Sequence, residues 1–239
     1  MTALLVEVGN SYLKAALGTQ DGIRPLGRFA HEELDMLTAL LPRNLEQLLF
    51  ASVSQEGVAE ALHRFAERQG LRCQRVISEA EAFGLRSAYG EPWRLGVDRW
   101  LAMLAGFHST KGACLVLDIG TAATADLVAA NGQHLGGWIA PGFRMMTQAV
   151  LSGTAKVADL ASGEGELVFG PNTGLGLHHG CQAMVSGFVK EAVLLAEQQL
   201  GQRPAVLLTG GGLRHLPPSL LAQGEVRTDL VLEGLALYC

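Results

Sequence analysis

The sequence predicts a duplicated α/β protein: two mixed sheets flanked by helices, with the ligand site in the cleft between the two halves. Three observations carry this. Two stretches share one plan, Leu4-Leu5-Val6-Glu7-Val8-Gly9-Asn10-Ser11 and Val116-Leu117-Asp118-Ile119-Gly120-Thr121-Ala122-Ala123-Thr124: an apolar strand, an acid, one residue, a glycine, then small polar residues. Each leads a run of three short strands joined by tight turns, followed by helices and further strands in a similar order. The chain has 239 residues, 49% of them hydrophobic and 17% charged, which is enough apolar material for two modest cores and argues against disorder.

In chain order, residues 2–8 read as a first strand, 9–11 as a turn, 12–17 as a second strand, 21–22 as a turn and 25–29 as a third strand, together a meander. Helical spacing follows at 32–41 and a strand at 47–53. A helix at 57–69 places Val58, Ala61, Leu62, Phe65 and Ala66 on one face and ends at Gly70. A strand is expected at 72–77, then a loop containing Tyr89-Gly90-Glu91-Pro92-Trp93, then a helix carrying Trp100, Leu101, Leu104 and Phe107. The second half opens with a strand at 113–118, returns at 125–129, turns at Asn131-Gly132 and continues at 134–139. A helix from Pro141-Gly142 to 151, a loop at 152–171, a long helix at 173–200 and a strand at 205–209 come next. The glycine turn 210–212, a short helix at 213–221, an edge strand at Val226 and a helix at 229–238 N-capped by Asp229 complete the chain. The halves are expected at 1–111 and 112–239.

Composition narrows the function. A net charge of −5 opposes a broad phosphate-tracking surface, so no nucleic-acid partner is expected. No apolar stretch approaches the roughly 20 residues of a membrane helix, and the first strand carries Glu7 with no basic flank, so neither membrane insertion nor a targeting signal is expected. Cys73, Cys114, Cys181 and Cys239 are scattered with no C-x-x-C pair, which points to reduced thiols and a cytoplasmic protein.

Several residues invite chemistry, each with a plainer reading beside it. Asp118 ends a buried strand at a hydroxyl-rich turn, where a carboxylate can hold a cation and the cation phosphate. Asp98 stands beside Gly96 and Arg99; alone it reads as the N-cap of the following helix. Lys14 is the one charge on a return strand and can equally be a snorkelling edge residue. Asn172-Thr173 also reads as a plain helix start. His178-His179 with Cys181 resembles a metal set, but adjacent helical residues diverge by about 100°, so ordinary helix positions are expected.

Six short motifs then fall in one order: Glu7-Val8-Gly9-Asn10-Ser11, Gly96-Val97-Asp98-Arg99, Asp118-Ile119-Gly120-Thr121-Ala122-Ala123-Thr124, Gly136-Gly137-Trp138-Ile139-Ala140-Pro141-Gly142, Asn172-Thr173 and Thr209-Gly210-Gly211-Gly212. Across essentially its whole length the chain resembles the type III pantothenate kinases. The resemblance implies a ribonuclease H-like (actin-like ATPase) fold and ATP-dependent phosphorylation of pantothenate to 4′-phosphopantothenate, the first step of coenzyme A synthesis. It implies Mg2+ or another divalent cation, a monovalent cation (K+ or NH4+), and a homodimer whose active site is completed by the neighbouring subunit. Carried over residue by residue, Asp98 is the general base and Tyr89, Gly96, Val97, Arg99 and Thr173 bind substrate with it, Arg99 gripping the carboxylate. Glu7, Val8, Gly9, Asn10, Ser11, Tyr12, Leu13, Lys14 and Thr121 bind ATP, Asp118 holds the monovalent cation, and Glu7 faces the divalent cation.

One departure stands out. The family begins its first motif with Asp, and here Glu7 reaches one methylene further toward a cation that demands near-octahedral geometry. Two other readings therefore stay open: a non-catalytic ligand-binding or transcription-accessory relative, and a kinase or phosphatase of the same superfamily acting on a sugar or polyphosphate. Intact Asp98, Arg99, Asp118 and Thr173 oppose the first, and the Gly96–Arg99 set opposes the second.

Overall fold

The computed structural model describes residues 2–9, 12–19, 22–53, 56–153 and 167–239. The chain divides into two units, 1–109 with 229–239, and 110–228. Asn10, Ser11, the start of the turn at 21–22 and most of the loop expected at 152–171 lie outside the described residues.

The first unit is built on β1 (Ala3–Val8), which pairs antiparallel with β2 (Leu13–Thr19) and parallel with β4 (Gln47–Ser52). β3 (Gly22–Phe29) and β5 (Arg72–Arg75) close the sheet in the order β3-β2-β1-β4-β5. Strand alternation decides what each residue of β1 meets. Leu4, Val6 and Val8 enter a core with Leu13, Phe50 and, from helix α1 (Glu56–Gln69), Leu62 and Phe65. Glu7 therefore points to the opposite face. Gly70 takes φ +67° after α1, as the helix-stop reading required.

The second unit repeats the plan. β8 (Cys114–Ile119) pairs antiparallel with β9 (Ala122–Val128) and parallel with β11 (Ala205–Thr209). With β10 (His134–Pro141) and β12 (Glu225–Val226) the order is β10-β9-β8-β11-β12. β1 and β8 share one burial pattern, four buried residues, a part-exposed acid, then a buried residue. Leu115, Leu117 and Ile119 pack on Val185, Val189 and Ala192 of the long helix α4 (Thr173–Leu200), leaving Asp118 on the other face. The helix α3 (Phe143–Gly153) adds Phe143 to the same core.

Four expectations are corrected. The segment at 32–41 is a 3₁₀ helix, His31–Leu40. The loop before Asp98 contains a small hairpin, β6 (Glu81–Ala82) and β7 (Leu85–Arg86), turned at Phe83 and Gly84 with φ of 50° and 81°. Strands of two residues have no periodicity to read. The helix expected at 213–221 is two pieces, a 3₁₀ turn Gly211–His215 and α5 (Pro218–Leu221), because Pro217 and Pro218 lack the donors to continue the first.

The fourth correction concerns the domain boundary. The last helix, α6 (Leu230–Ala236), belongs to the first unit and not to the second half. It crosses α2 (Val97–Thr110) at Gly234, where a Cβ would collide with the Leu101 carbonyl. Tyr238 fixes the end: its hydroxyl accepts from Trp100 Nε1 at 3.2 Å and donates to Glu79 Oε1 at 2.6 Å, and its ring stacks edgewise on Phe83. No helix among the described residues is long and apolar enough to cross a membrane.

Candidate active site

In the first unit the acid of β1 meets the start of α2. The Gly96 carbonyl accepts the first helical bond from Trp100 N at 3.0 Å, so α2 begins at Val97 and Asp98 lies inside its first turn rather than capping it. Asp98 Oδ1 accepts from the Arg99 N–H at 2.8 Å, one of the donors a helix start leaves unpaired. At Gly96 a Cβ would stand 2.6 Å from Asp98 Oδ1 and push the carboxylate aside.

Arg99 is 6% exposed, not a surface arginine. A buried guanidinium needs partners, and Tyr89 supplies one: Arg99 Nη1 donates to the Tyr89 hydroxyl at 3.1 Å, with the ring centroid 6.0 Å from the guanidinium carbon. Tyr89 is itself held by its N–H donating to Ser87 Oγ at 3.1 Å. Two of the residues expected to bind substrate are thus in contact. A fixed, planar, charged fork beside an aromatic suits a carboxylate.

Glu7 sits across β1 and β2 from Lys14, with Nζ 3.9 Å from Glu7 Oε2 and 4.0 Å from Asp229 Oδ1. Lys14 therefore faces carboxylates and does not snorkel outward. Glu7 Oε2 is buried and has no hydrogen-bond partner among the described residues. Burial first, then the Asp98 and Asp229 carboxylates, push the Glu7 carboxyl above its ordinary value of 4.5, against Lys14 and Arg28. The turn that follows is tight: Gly9 N donates to Tyr12 O at 3.0 Å, and His31 Nε2 donates to Gly9 O at 3.1 Å. Arg28 lies 5.0 Å over the half-exposed Tyr12 ring.

An orphaned buried carboxylate oxygen among other acids fits a hard divalent cation. Among the described residues no three His, Cys, Asp or Glu side chains are grouped to hold a metal by themselves. The fit is to Mg2+ bound through one carboxylate with water and phosphate completing its shell.

In the second unit Asp118 pairs in register with Thr124 on β9 and Thr209 on β11. Gly120 N donates to Ala122 O at 2.9 Å and turns the chain toward Thr121. Gly210, at φ +97°, leaves a cradle where a Cβ would collide with Asp118 Oδ1 and the Ile119 carbonyl. Gly212 leaves room for the same carbonyl, and Gly142 for those of Gly120 and Thr121, with Gly142 N donating to Thr121 O at 3.0 Å. Clustered carboxylate and carbonyl oxygens, with glycines giving access, fit a large monovalent cation.

Asn172 caps α4, its Oδ1 accepting from Leu175 N at 2.9 Å, and Thr173 is the first helical residue, exposed. His178 and His179 are buried helix positions; His179 Nδ1 bonds Gln182 Oε1 at 2.9 Å. His215 stacks on Phe143 with centroids 3.8 Å apart, and burial, Arg214 and His178 hold it neutral down to about 4.

Two participants were missed from sequence. His31 reaches the Gly9 carbonyl from the start of a 3₁₀ helix, and Asp229, expected only as an N-cap, makes no side-chain cap bond and turns toward Lys14. Neither had a local signal, since each meets its partner only through the tertiary fold.

A family model and the curated relatives agree on one family. A family model described as type III pantothenate kinase matches residues 3–194. A type III pantothenate kinase of Pseudomonas fluorescens (strain SBW25) is 37% identical over 248 residues, covering 99% of this chain and 98% of that protein. One from Pseudomonas aeruginosa (strain LESB58) is 34% identical over 246 residues, with 99% and 98% covered. Among solved structures, a Campylobacter jejuni protein described as a Baf family transcriptional activator superposes with a TM-score of 0.60 at 19% identity, over 97% of this chain and 94% of that one. A Listeria monocytogenes protein described as an N-acetylmannosamine kinase gives 0.53 at 10% identity, over 100% and 98%. These two likenesses concern the fold.

Proposed function

The chain belongs to the type III pantothenate kinases, which phosphorylate pantothenate with ATP in coenzyme A biosynthesis, and from that premise we propose how its own residues divide the work. The observation that carries the reading is the α2 start: Asp98 projects from the first turn while Arg99, one residue on, is buried against Tyr89. Arg99 and Tyr89 grip the pantothenate carboxylate and so fix the far end of the substrate. Asp98 accepts the proton of the hydroxyl as its oxygen attacks the γ-phosphorus of ATP, the bond from that phosphorus to the β,γ-bridging oxygen breaks, and ADP leaves. Phosphoryl transfer asks chiefly for position and charge compensation, and one well-placed carboxylate meets the proton requirement.

Lys14 and the main chain of the Gly9 turn meet the ATP phosphates. Glu7 holds the divalent cation, and Asp118 with the neighbouring carbonyls holds K+ or NH4+. When bound, these ions offset phosphate charge. The extra methylene of Glu7 would be tolerated by a divalent cation that binds largely through water.

The working form is a homodimer. Thr173 is exposed at the head of α4, and the same helix carries exposed apolar side chains at Met184 and Leu194 that a second copy would cover. Thr173 then reaches the neighbour's pantothenate. Scattered, unbridged cysteines suit a cytoplasmic setting.

Steady-state kinetics on Arg99→Lys and Tyr89→Phe test the substrate grip. Tyr89→Phe removes one hydrogen bond and is expected to raise the KM for pantothenate by up to about tenfold, with Arg99→Lys larger because a bidentate fork is lost. The KM for ATP stays put in both. An equal rise in both KM values would remove Arg99 and Tyr89 from the pantothenate site.

A further inference from the structure

We propose that Asp229 is a positioning residue of the nucleotide site: its carboxylate holds the Lys14 ammonium in place to meet the ATP phosphates. The proposal rests on the reading of Lys14 as a phosphate contact.

Lys14 Nζ stands between two acids, 3.9 Å from Glu7 Oε2 and 4.0 Å from Asp229 Oδ1, and the three side chains are 28%, 20% and 26% exposed. They are neither sealed in nor freely solvated, so each shapes where the other's charge sits. Asp229 occupies the N-cap of α6, where an aspartate ordinarily turns its carboxylate onto its own helix. Here the main-chain carbonyl starts the helix, accepting from Glu233 N at 2.9 Å, while the side chain makes no cap bond and faces Lys14. The residue gives up a local bond for a charge near the other end of the sequence.

The pairing has a reason beyond stability. Glu7 carries the orphaned oxygen that fits a cation. Once that oxygen serves a cation, Glu7 no longer balances Lys14, and the ammonium is repelled by the neighbouring positive charge. Asp229 supplies the second counter-charge that keeps Lys14 at the site. It does so from the point where the chain re-enters the first unit, and it lies beyond residues 3–194, which the family model matches.

The test is a double-mutant cycle on Asp229→Asn and Lys14→Met in the full-length protein, with Asp229→Glu as the conservative variant. MgATP binding is titrated calorimetrically without pantothenate, alongside the KM for each substrate and thermal melts. Asp229→Asn is expected to weaken ATP about tenfold, a coupling typical of neighbouring charges, with the pantothenate KM and the melting temperature unchanged, since the side chain makes no cap bond that the change would remove. Asp229→Glu is expected to recover most of the loss. In the Lys14→Met background Asp229→Asn is expected to do nothing further. Equal losses in both backgrounds, no loss in either, or a parallel rise in both KM values with a lowered melting temperature would each overturn the proposal. Because binding is read without turnover, a wild type that binds ATP yet makes no phosphopantothenate would sink the kinase reading and leave this result standing.

Discussion

Glu7 carries the tension of this site in one side chain. It is part-buried, one oxygen is shut off from solvent with no hydrogen-bond partner among the described residues, and its carboxyl is held above its ordinary 4.5 by burial and two nearby acids. Below pH 4.5 Glu7 is protonated in the folded and unfolded chains alike, and the stability linked to its raised pKa is fully present. As the pH rises through the folded value, ionisation works against burial and that stability is lost. Glu7→Gln cannot ionise. It is expected to melt above the wild type at pH 8, with the gap closing toward pH 4, and to lose Mg2+-dependent ATP binding. A Gln variant that melts lower at pH 8 would show the carboxylate to be a net stabiliser and not a site held ready for a cation. Glu7→Asp is expected to retain turnover, since water fills the distance the shorter chain leaves.

Both strand-end acids were legible in the sequence, because an apolar run followed by acid, x, Gly marks a strand end wherever it occurs. The roles of Asp229 and His31 were not, because no spacing reports a contact made by a returning helix or by a 3₁₀ turn packed on a distant loop.

At the scale of elements, glycines set the carboxylates. The Gly96 carbonyl starts α2, and the missing Cβ leaves Asp98 its place. Gly96→Ala meets only the end of a flexible side chain, so the fold absorbs it and the carboxylate moves. We expect kcat to fall by about 10²-fold, the cost of a misplaced reacting group, with little change in melting temperature. Gly210→Ala differs in kind: φ is +97° and the obstacle includes the Ile119 carbonyl. It is expected to destabilise by about 1–3 kcal/mol and to blunt activation by K+, read by melts and by turnover with and without the ion. A Gly210→Ala protein with wild-type stability and K+ response would show that the cradle holds no cation. The long, periodic elements were readable, α4 and β11 to the residue. The hairpin of β6 and β7 and the broken segment after Gly212 were not, since two-residue strands carry no period and Pro217-Pro218 interrupt what apolar spacing alone would continue.

For the whole molecule, the same sheet order appears twice, β3-β2-β1-β4-β5 and β10-β9-β8-β11-β12, each with an acid fifth in its central strand. The sequence anticipated that repetition but assigned the last helix to the wrong unit, because α6 follows the second sheet in sequence while its Gly234 and Tyr238 find partners on α2 and the loop before it. If Thr173 completes a neighbour's site, mixing Asp98→Asn with Thr173→Ala protomers and allowing exchange is expected to restore activity above either parent, since a mixed dimer holds one site free of both substitutions. Absence of recovery in verified mixed dimers would place Thr173 outside the pantothenate site.

The most direct measurement is mass-spectrometric detection of 4′-phosphopantothenate formed from pantothenate and MgATP in the presence of K+, by the wild type and by Asp98→Asn at equal concentration. The wild type is expected to form product and the variant to lose about 10²–10⁴-fold, with ATP binding and melting temperature preserved. Product formed equally by both proteins would contradict the role given to Asp98, and no product from a wild type that binds both substrates would contradict the activity itself.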